Sequence, residues 1–252
     1  MGVRRALCIN DTFLRIRECL RLIYIRDRRF FIVKKWIAAA LALLMLSAVG
    51  CKKRYCGFEE YLSELRTDYL TAECDAGRVD IATGTRENPY AIDGVSGDKE
   101  EFTVLTFTPN EFLPNMTYTY RVVIDGMEHT GRLVMHPFAE SYSADIADKS
   151  DGREIPLSLS AGENLYEMTA ASVLSETMIG AERALEVAYA ALKPKIDALK
   201  SGGKLNAELY VRVIPNPIDD KGGYYWYVAA CGDTTVAVLI DPVTEEIVAK
   251  RE

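Results

Sequence analysis

The chain has 252 residues, with 30 Lys and Arg against 37 Asp and Glu, a net charge of −7 at pH 7. The charge is unevenly spread: residues 1–35 carry 10 basic and 3 acidic side chains, a net +7, residues 36–50 carry none, and −7 − 7 leaves −14 on residues 51–252. That balance excludes nucleic acid and anionic lipid as general partners of the larger part, because phosphate binding needs clustered Lys and Arg.

The first element is the uncharged stretch Trp36–Gly50, preceded by Lys34 and Lys35 and followed by Cys51-Lys52-Lys53-Arg54. Crossing about 30 Å of hydrocarbon takes about 20 apolar residues, so a stretch of 15 (50 − 35) is too short to span. A basic start, a short apolar segment and small residues are the layout of a secretory signal. Here the small residues are Ser47-Ala48-Val49-Gly50, and a cysteine follows them directly. Ala48-Val49-Gly50-Cys51 resembles the lipobox of bacterial lipoproteins, which prefers Leu where Ala48 stands. The resemblance implies lipidation of Cys51: a diacylglycerol thioether, cleavage before the cysteine, and an amide-linked acyl chain such as palmitate. Two or more acyl chains hold a protein stably on a membrane. Residues 33–50 are therefore read as a lipoprotein signal peptide and residues 1–32 as a gene-start extension, with a basic cytoplasmic extension as the alternative.

Residues 51–75 read as an anchor linker with a short helix, because Phe58, Tyr61, Leu62, Leu65 and Tyr69 recur at helical spacing over Gly57–Leu70. Three cysteines follow Cys51, namely Cys56, Cys74 and Cys231, so at least one stays unpaired within a monomer. A straight helix between Cys56 and Cys74 also argues against their bridging.

Residues 76–160 read as short strands between turns. Val79–Thr83, Phe102–Thr108, Tyr118–Ile124 and Arg132–Met135 carry the β-branched and aromatic residues, and Asn88-Pro89, Asp93-Gly94 and Asp125-Gly126 supply turns. The pattern predicts a β-sandwich, immunoglobulin-like but without the Cys–Trp–Cys signature of antibody domains.

Over residues 166–252 the texture changes. Ala181, Ala184, Leu185, Ala188, Ala191, Leu192, Ile196 and Leu199 form a helical stripe, with a kink or break expected at Pro194. Strands are expected over Leu209–Ile214, Tyr224–Ala229 and Thr235–Ile240, with a turn at Asp241–Thr244 and a short return at Ile247-Val248. Trp226-Tyr227-Val228, then Val238-Leu239-Ile240-Asp241, then Thr244-Glu245-Glu246-Ile247-Val248 resembles the closing half of PepSY-type domains, with Glu245 where that family commonly has Gly. The resemblance implies an extracytoplasmic protein, with peptidase inhibition or regulation of a neighbouring protein among the family's roles, and no catalytic residue. The expected fold class is α+β: a sandwich-like domain, then a helix plus antiparallel meander, PepSY-like or cystatin-like.

Few residues suggest chemistry. His129 and His136 lie seven positions apart (136 − 129), a spacing that fits neither a helical metal pair nor His-Glu-x-x-His, and Ser141 and Ser143 have nothing to orient them as nucleophiles. Asp219-Asp220 sits in a Gly-containing loop without the calcium-loop spacing. Tyr224, Tyr225, Trp226 and Tyr227 form a candidate partner surface: alternation sends Tyr224 and Trp226 to one face and Tyr225 and Tyr227 to the other, one face meets the helix stripe, and the second is either a binding surface or covered by the sandwich domain.

The reading is a lipoprotein anchored through Cys51 on the extracytoplasmic face of the cell membrane, a non-catalytic binding or regulatory module for a protein or peptide partner. It needs no cofactor or metal. Two alternatives stand beside it: a carboxylate-dependent cell-envelope hydrolase, whose acids would meet only on folding, and a ligand-binding lipoprotein.

Overall fold

One strand organises the whole chain. β1 (Leu62–Cys74) pairs antiparallel with β2 (Gly77–Glu87) along nearly its full length. On its other edge the first half pairs in parallel with β12 (Ala207–Pro215), and Leu70 and Thr71 pair antiparallel with β9 (Asn164–Ser172). The structure, a computed structural model, describes residues 61–88, 97–202, 204–219 and 222–251. Residues 1–60, which include the signal stretch, Cys51 and Cys56, lie outside the described residues.

Beyond β1 the sheet has two arms. One arm runs through β2, β3 (Lys99–Pro109) and β7 (Tyr142–Ile146) to β6 (Val134–Met135) on one side, and through β9, β8 (Glu154–Ala161) and β4 (Tyr118–Ile124) to β5 (Met127–Arg132) on the other. The chain steps from edge β5 to edge β6 through Leu133 alone, whose N–H donates to the Tyr118 carbonyl at 2.9 Å. The two edges thereby meet, and the sheet rolls into a nearly closed barrel. Leu70, Val79, Ile81, Leu105, Phe107, Val122, Ile124 and Leu159 fill it. The other arm continues from β12 through β13 (Tyr224–Gly232) and β14 (Thr235–Ile240) to β15 (Ile247–Arg251). Helix α1 (Ala181–Ala198) packs on this arm with Ala181, Ala184, Leu185, Ala188, Leu192 and Ile196 buried, against Leu62, Leu209, Val211, Trp226, Val228 and Val238. The remaining β10 (Lys200–Ser201) and β11 (Lys204–Leu205) form a separate ribbon.

The expected α+β class is therefore overturned. Thirteen described strands join a single, mostly antiparallel sheet, and the helix with its meander is an arm of that sheet. The cause is the parallel β1–β12 pairing, which joins Leu62 to Leu209, 147 positions apart (209 − 62). Local periodicity carries no trace of a pairing that remote.

The expected helix over Gly57–Leu70 is overturned in its described part, where β1 stands. Two bulges explain the misleading spacing. Register shifts fall between Leu62 and Glu64 and between Arg66 and Asp68. Each inserts an extra residue and re-aims the strand. Leu62, Leu65 and Tyr69 thus all reach the core under α1, at spacings of three and four that imitate a helix, while Leu70 and Ala72 serve the barrel.

Of the kink or break expected at Pro194, no break occurs: α1 runs through it to Ala198. Pro194 lies in the last turn and a half, so few residues beyond it depend on the hydrogen bond its missing N–H would have made.

Candidate functional site

The aromatic set is divided by its strand. Trp226 is 0 % exposed and donates Nε1–H to the Ile179 carbonyl at 2.8 Å, so it belongs to the core and not to a partner surface. Tyr224 stacks on Tyr69 with ring centroids 5.6 Å apart and shares a hydrogen bond of 3.0 Å with Arg78, itself 2.8 Å from Asp80. Burial, then Asp80, pushes the Tyr69 phenol far above its usual range, which keeps it neutral. Tyr225 and Tyr227 remain half-buried, opposite Ile214 and Arg212 in the register with β12.

Folding assembles a polar row that sequence reading missed. Glu208 (β12), Ser63 (β1), Glu87 (β2) and Lys99 (β3) come from successive strands of the sheet. Ser63 donates its hydroxyl to Glu208, the Gly97 N–H donates to Glu87 at 2.8 Å, and Lys99 Nζ stands 3.8 Å from Glu87. Glu208 and Glu87 are only 3 % and 5 % exposed, so each is held by partners rather than by water. Burial lowers the Lys99 pKa against the pull of Glu87 and Glu208. The only signal in the sequence is a polar residue inside apolar strand runs, as at Glu208 before Leu209.

Two concavities border this row. An apolar cleft of about 240 Å³ lies between β1 and α1, lined by Leu62, Leu65, Ala181 and Leu185 with Lys99 and Glu182 at its polar positions. That is below the roughly 300–1,000 Å³ of small-molecule sites. A polar groove of about 370 Å³ is lined by Ser63 and Glu87 together with Glu64, Arg86, Glu100 and Asp145. Arg86 holds both Glu100 and Asp145 at 2.8 Å, and Arg212 holds Glu64 with two contacts of 2.8 Å.

These pairings decide what the groove's acids can do. Burial alone would raise Glu64, but Arg66 and Arg212 together outweigh it and hold its carboxyl below the usual range. Hydrogen bonds from Arg86 and Asn88 do the same to Glu100. A glycosidase-type general acid needs a raised pKa, so both groups are driven away from that role.

The linkage is testable. Glu64 has its folded pKa below an unfolded value of about 4.3. Its stabilisation is therefore present above that value and lost as pH falls through the folded pKa. Asp68, raised chiefly by burial, acts in the opposite sense. In urea unfolding between pH 7 and 3, Glu64→Gln is expected to be less stable than wild type at pH 7 and to lose less stability on acidification. Parallel pH profiles would refute the pairing.

The histidines do not share a hairpin, since β5 pairs with β4 and β6 with β7. His129 Nε2 lies 3.5 Å from Asp148 Oδ2 across the barrel seam, but misaligned, so it makes no hydrogen bond. His136 Nδ1 accepts the Phe138 N–H at 3.2 Å. Asp219 accepts a hydrogen bond from Asn216 at 2.7 Å, and Asp220 lies outside the described residues. Cys74 and Cys231 are free, half-buried thiols.

No family model, curated protein or solved structure matches the chain. The likeness to PepSY-type domains therefore rests on its short motif. Within that motif Glu245 has φ 62°, the left-handed backbone region that favours glycine. The Arg183 guanidinium holds its carboxylate at 2.6 Å.

Proposed function

We propose that the protein is a lipoprotein, tethered through Cys51 on the extracytoplasmic face of the cell membrane, whose folded body binds or regulates a protein partner. The observation that carries this reading is the order Lys34-Lys35, uncharged Trp36–Gly50, Cys51, eleven residues (62 − 51) ahead of the first described strand. Supporting it, the body is acidic, and two carboxylates of its polar groove, Glu64 and Glu100, are held by arginines that lower their pKa. A charged, Arg-locked acid positions strands and does not donate protons.

Metabolic labelling in the native host with a fatty-acid analogue tests the tether. Wild type is expected to take up label and sediment with membranes, and Cys51→Ala to lose both. A wild-type protein that is unlabelled and soluble inside the cell overturns the proposal.

A further inference from the structure

Four connections meet at one end of the barrel. The β1–β2 turn (Asp75, Ala76) accepts the Asn110 N–H from the β3–β4 loop at 2.9 Å, through the Ala76 carbonyl. In that loop the Leu113 carbonyl accepts the Tyr142 hydroxyl at 2.7 Å, and Tyr142 faces Met135 across the β6–β7 hairpin. Tyr118, which receives the Leu133 N–H, pairs with Ala161 beside the β8–β9 turn. β1 begins at the opposite end: its 13 residues, at about 3.3 Å each, set Leu62 about 40 Å from this pole.

The pole combines two features that loops rarely share. Phe138 at the tip of the β6–β7 hairpin is 94 % exposed, and at the same end of the barrel Val134 and Met135 (β6), Leu165 (β9) and Leu113 (β3–β4 loop) are 69 %, 46 %, 61 % and 41 % exposed. By contrast Phe102 and Phe107 are buried to within 1 %. Clustered apolar side chains in water mark an interaction site. The tip is also pre-shaped, with the Phe138 N–H on His136 Nδ1 and the His136 N–H on the Ser141 carbonyl at 2.8 Å. Each of the four connections, moreover, carries an exposed acid, Asp75, Glu111, Glu140 and Glu163, and none of them contains Lys or Arg. The first basic side chains, Arg78 and Arg132, lie inside β2 and β5.

The charge selects the occupant. Bilayer surfaces attract basic segments and repel an acidic rim, so apolar tips that served to enter lipid would be ringed by Lys and Arg. A protein surface with an apolar pocket and a basic border complements both the tip and the rim. We infer that this pole docks a basic protein partner, with Phe138 inserted in an apolar pocket and the partner's Lys and Arg set against Asp75, Glu111, Glu140 and Glu163. The inference rests on the partner-binding part of the proposal above and is independent of the lipid tether.

The test uses the full chain in detergent-free phosphatidylcholine nanodiscs and three probes: a synthetic peptide of alternating Lys and Leu, its counterpart with Glu for Lys, and vesicles rich in phosphatidylglycerol. Wild type is expected to bind the Lys–Leu peptide with an affinity that falls as salt rises. Phe138→Ser is expected to weaken it at least about tenfold. The fourfold variant Asp75→Asn, Glu111→Gln, Glu140→Gln, Glu163→Gln should weaken it by a similar factor and flatten the salt dependence. Every altered residue is exposed, so thermal midpoints should stay at the wild-type value. Met127→Ser, at the start of β5 at the other end and 57 % exposed, should bind like wild type. Equal binding of the Glu–Leu peptide, wild-type affinity in Phe138→Ser, or vesicle binding abolished by Phe138→Ser would each overturn the inference. Fatty-acid labelling of Cys51 separates the two proposals. Labelled protein without pole-dependent binding defeats this inference alone, and unlabelled protein that still binds defeats the tether alone.

Discussion

Trp226→Ala is expected to destabilise the chain by about 3–5 kcal/mol, the range for emptying a buried aromatic site. Trp226 is fully buried among the residues that join α1 to β12–β14. Its loss opens a cavity there, and it also leaves the Ile179 carbonyl without its 2.8 Å partner. Ile179 is the hinge that seats the helix: its N–H donates to the Pro242 carbonyl at 2.8 Å, and α1 begins two residues later. Both strand-side attachments of the helix start thus pass through one residue that Trp226 holds. The thermal midpoint should fall by about 10 °C, followed by circular dichroism because the substitution removes one of the two tryptophans. Trp226→Phe keeps most of the apolar volume and should lose about 1–3 kcal/mol. A midpoint within 2–3 °C of wild type for the alanine variant would refute this placement of the side chain. Any loss of partner binding in Trp226→Ala then reports a damaged fold and not a damaged surface, whereas Phe138 can be altered without that ambiguity.

Gly84→Ala should be at least as harmful, by more than about 4 kcal/mol. A methyl group at Gly84 would sit 1.9 Å from the Leu65 carbonyl oxygen and 2.9 Å from the Arg66 α-carbon, both backbone atoms that cannot turn aside. Gly84 faces Arg66 next to the second bulge of β1, where the backbone of β1 leaves no room for a side chain. Relief requires β1 to move off β2, and β1 is the strand that carries both arms of the sheet. Both cores should therefore loosen together, with broadened or lost unfolding transitions in urea. Gly97→Ala, with no atom of the described residues within 4 Å of the added methyl, is the matched control and should stay within about 0.5 kcal/mol of wild type. Equal stability of the two variants would show that β1 and β2 are not packed as described.

The candidate surface was only partly legible in the residues. Strand alternation correctly separated Tyr224 and Trp226 from Tyr225 and Tyr227, but could not say that the helix leaves Trp226 no exposure. The pole was harder still. Asp75, Glu111, Glu140 and Glu163 spread over 89 positions (163 − 75 + 1), each an unremarkable loop acid until the barrel closes. Phe138 could have been noticed, because an aromatic between Pro137 and Ala139 in a turn has no alternating partner to bury it. The polar row Glu208–Ser63–Glu87–Lys99 had no such hint, since its members come from four strands whose order follows from pairing alone.

Residue order was enough to locate α1, through its stripe of Ala and Leu every three or four positions, and most of the strands around Ile81, Leu105, Val122, Val211 and Val238, through β-branched runs between turns. Those signals are local: a backbone segment chooses its shape from neighbours a few residues away. The sheet order, the two bulges that disguised β1 and the gathering of four acidic loops at the Phe138 end come from strand pairings between residues up to 147 positions apart (209 − 62). Such contacts are selected by the burial of two cores at once, an energy that exists only when the distant strands have met.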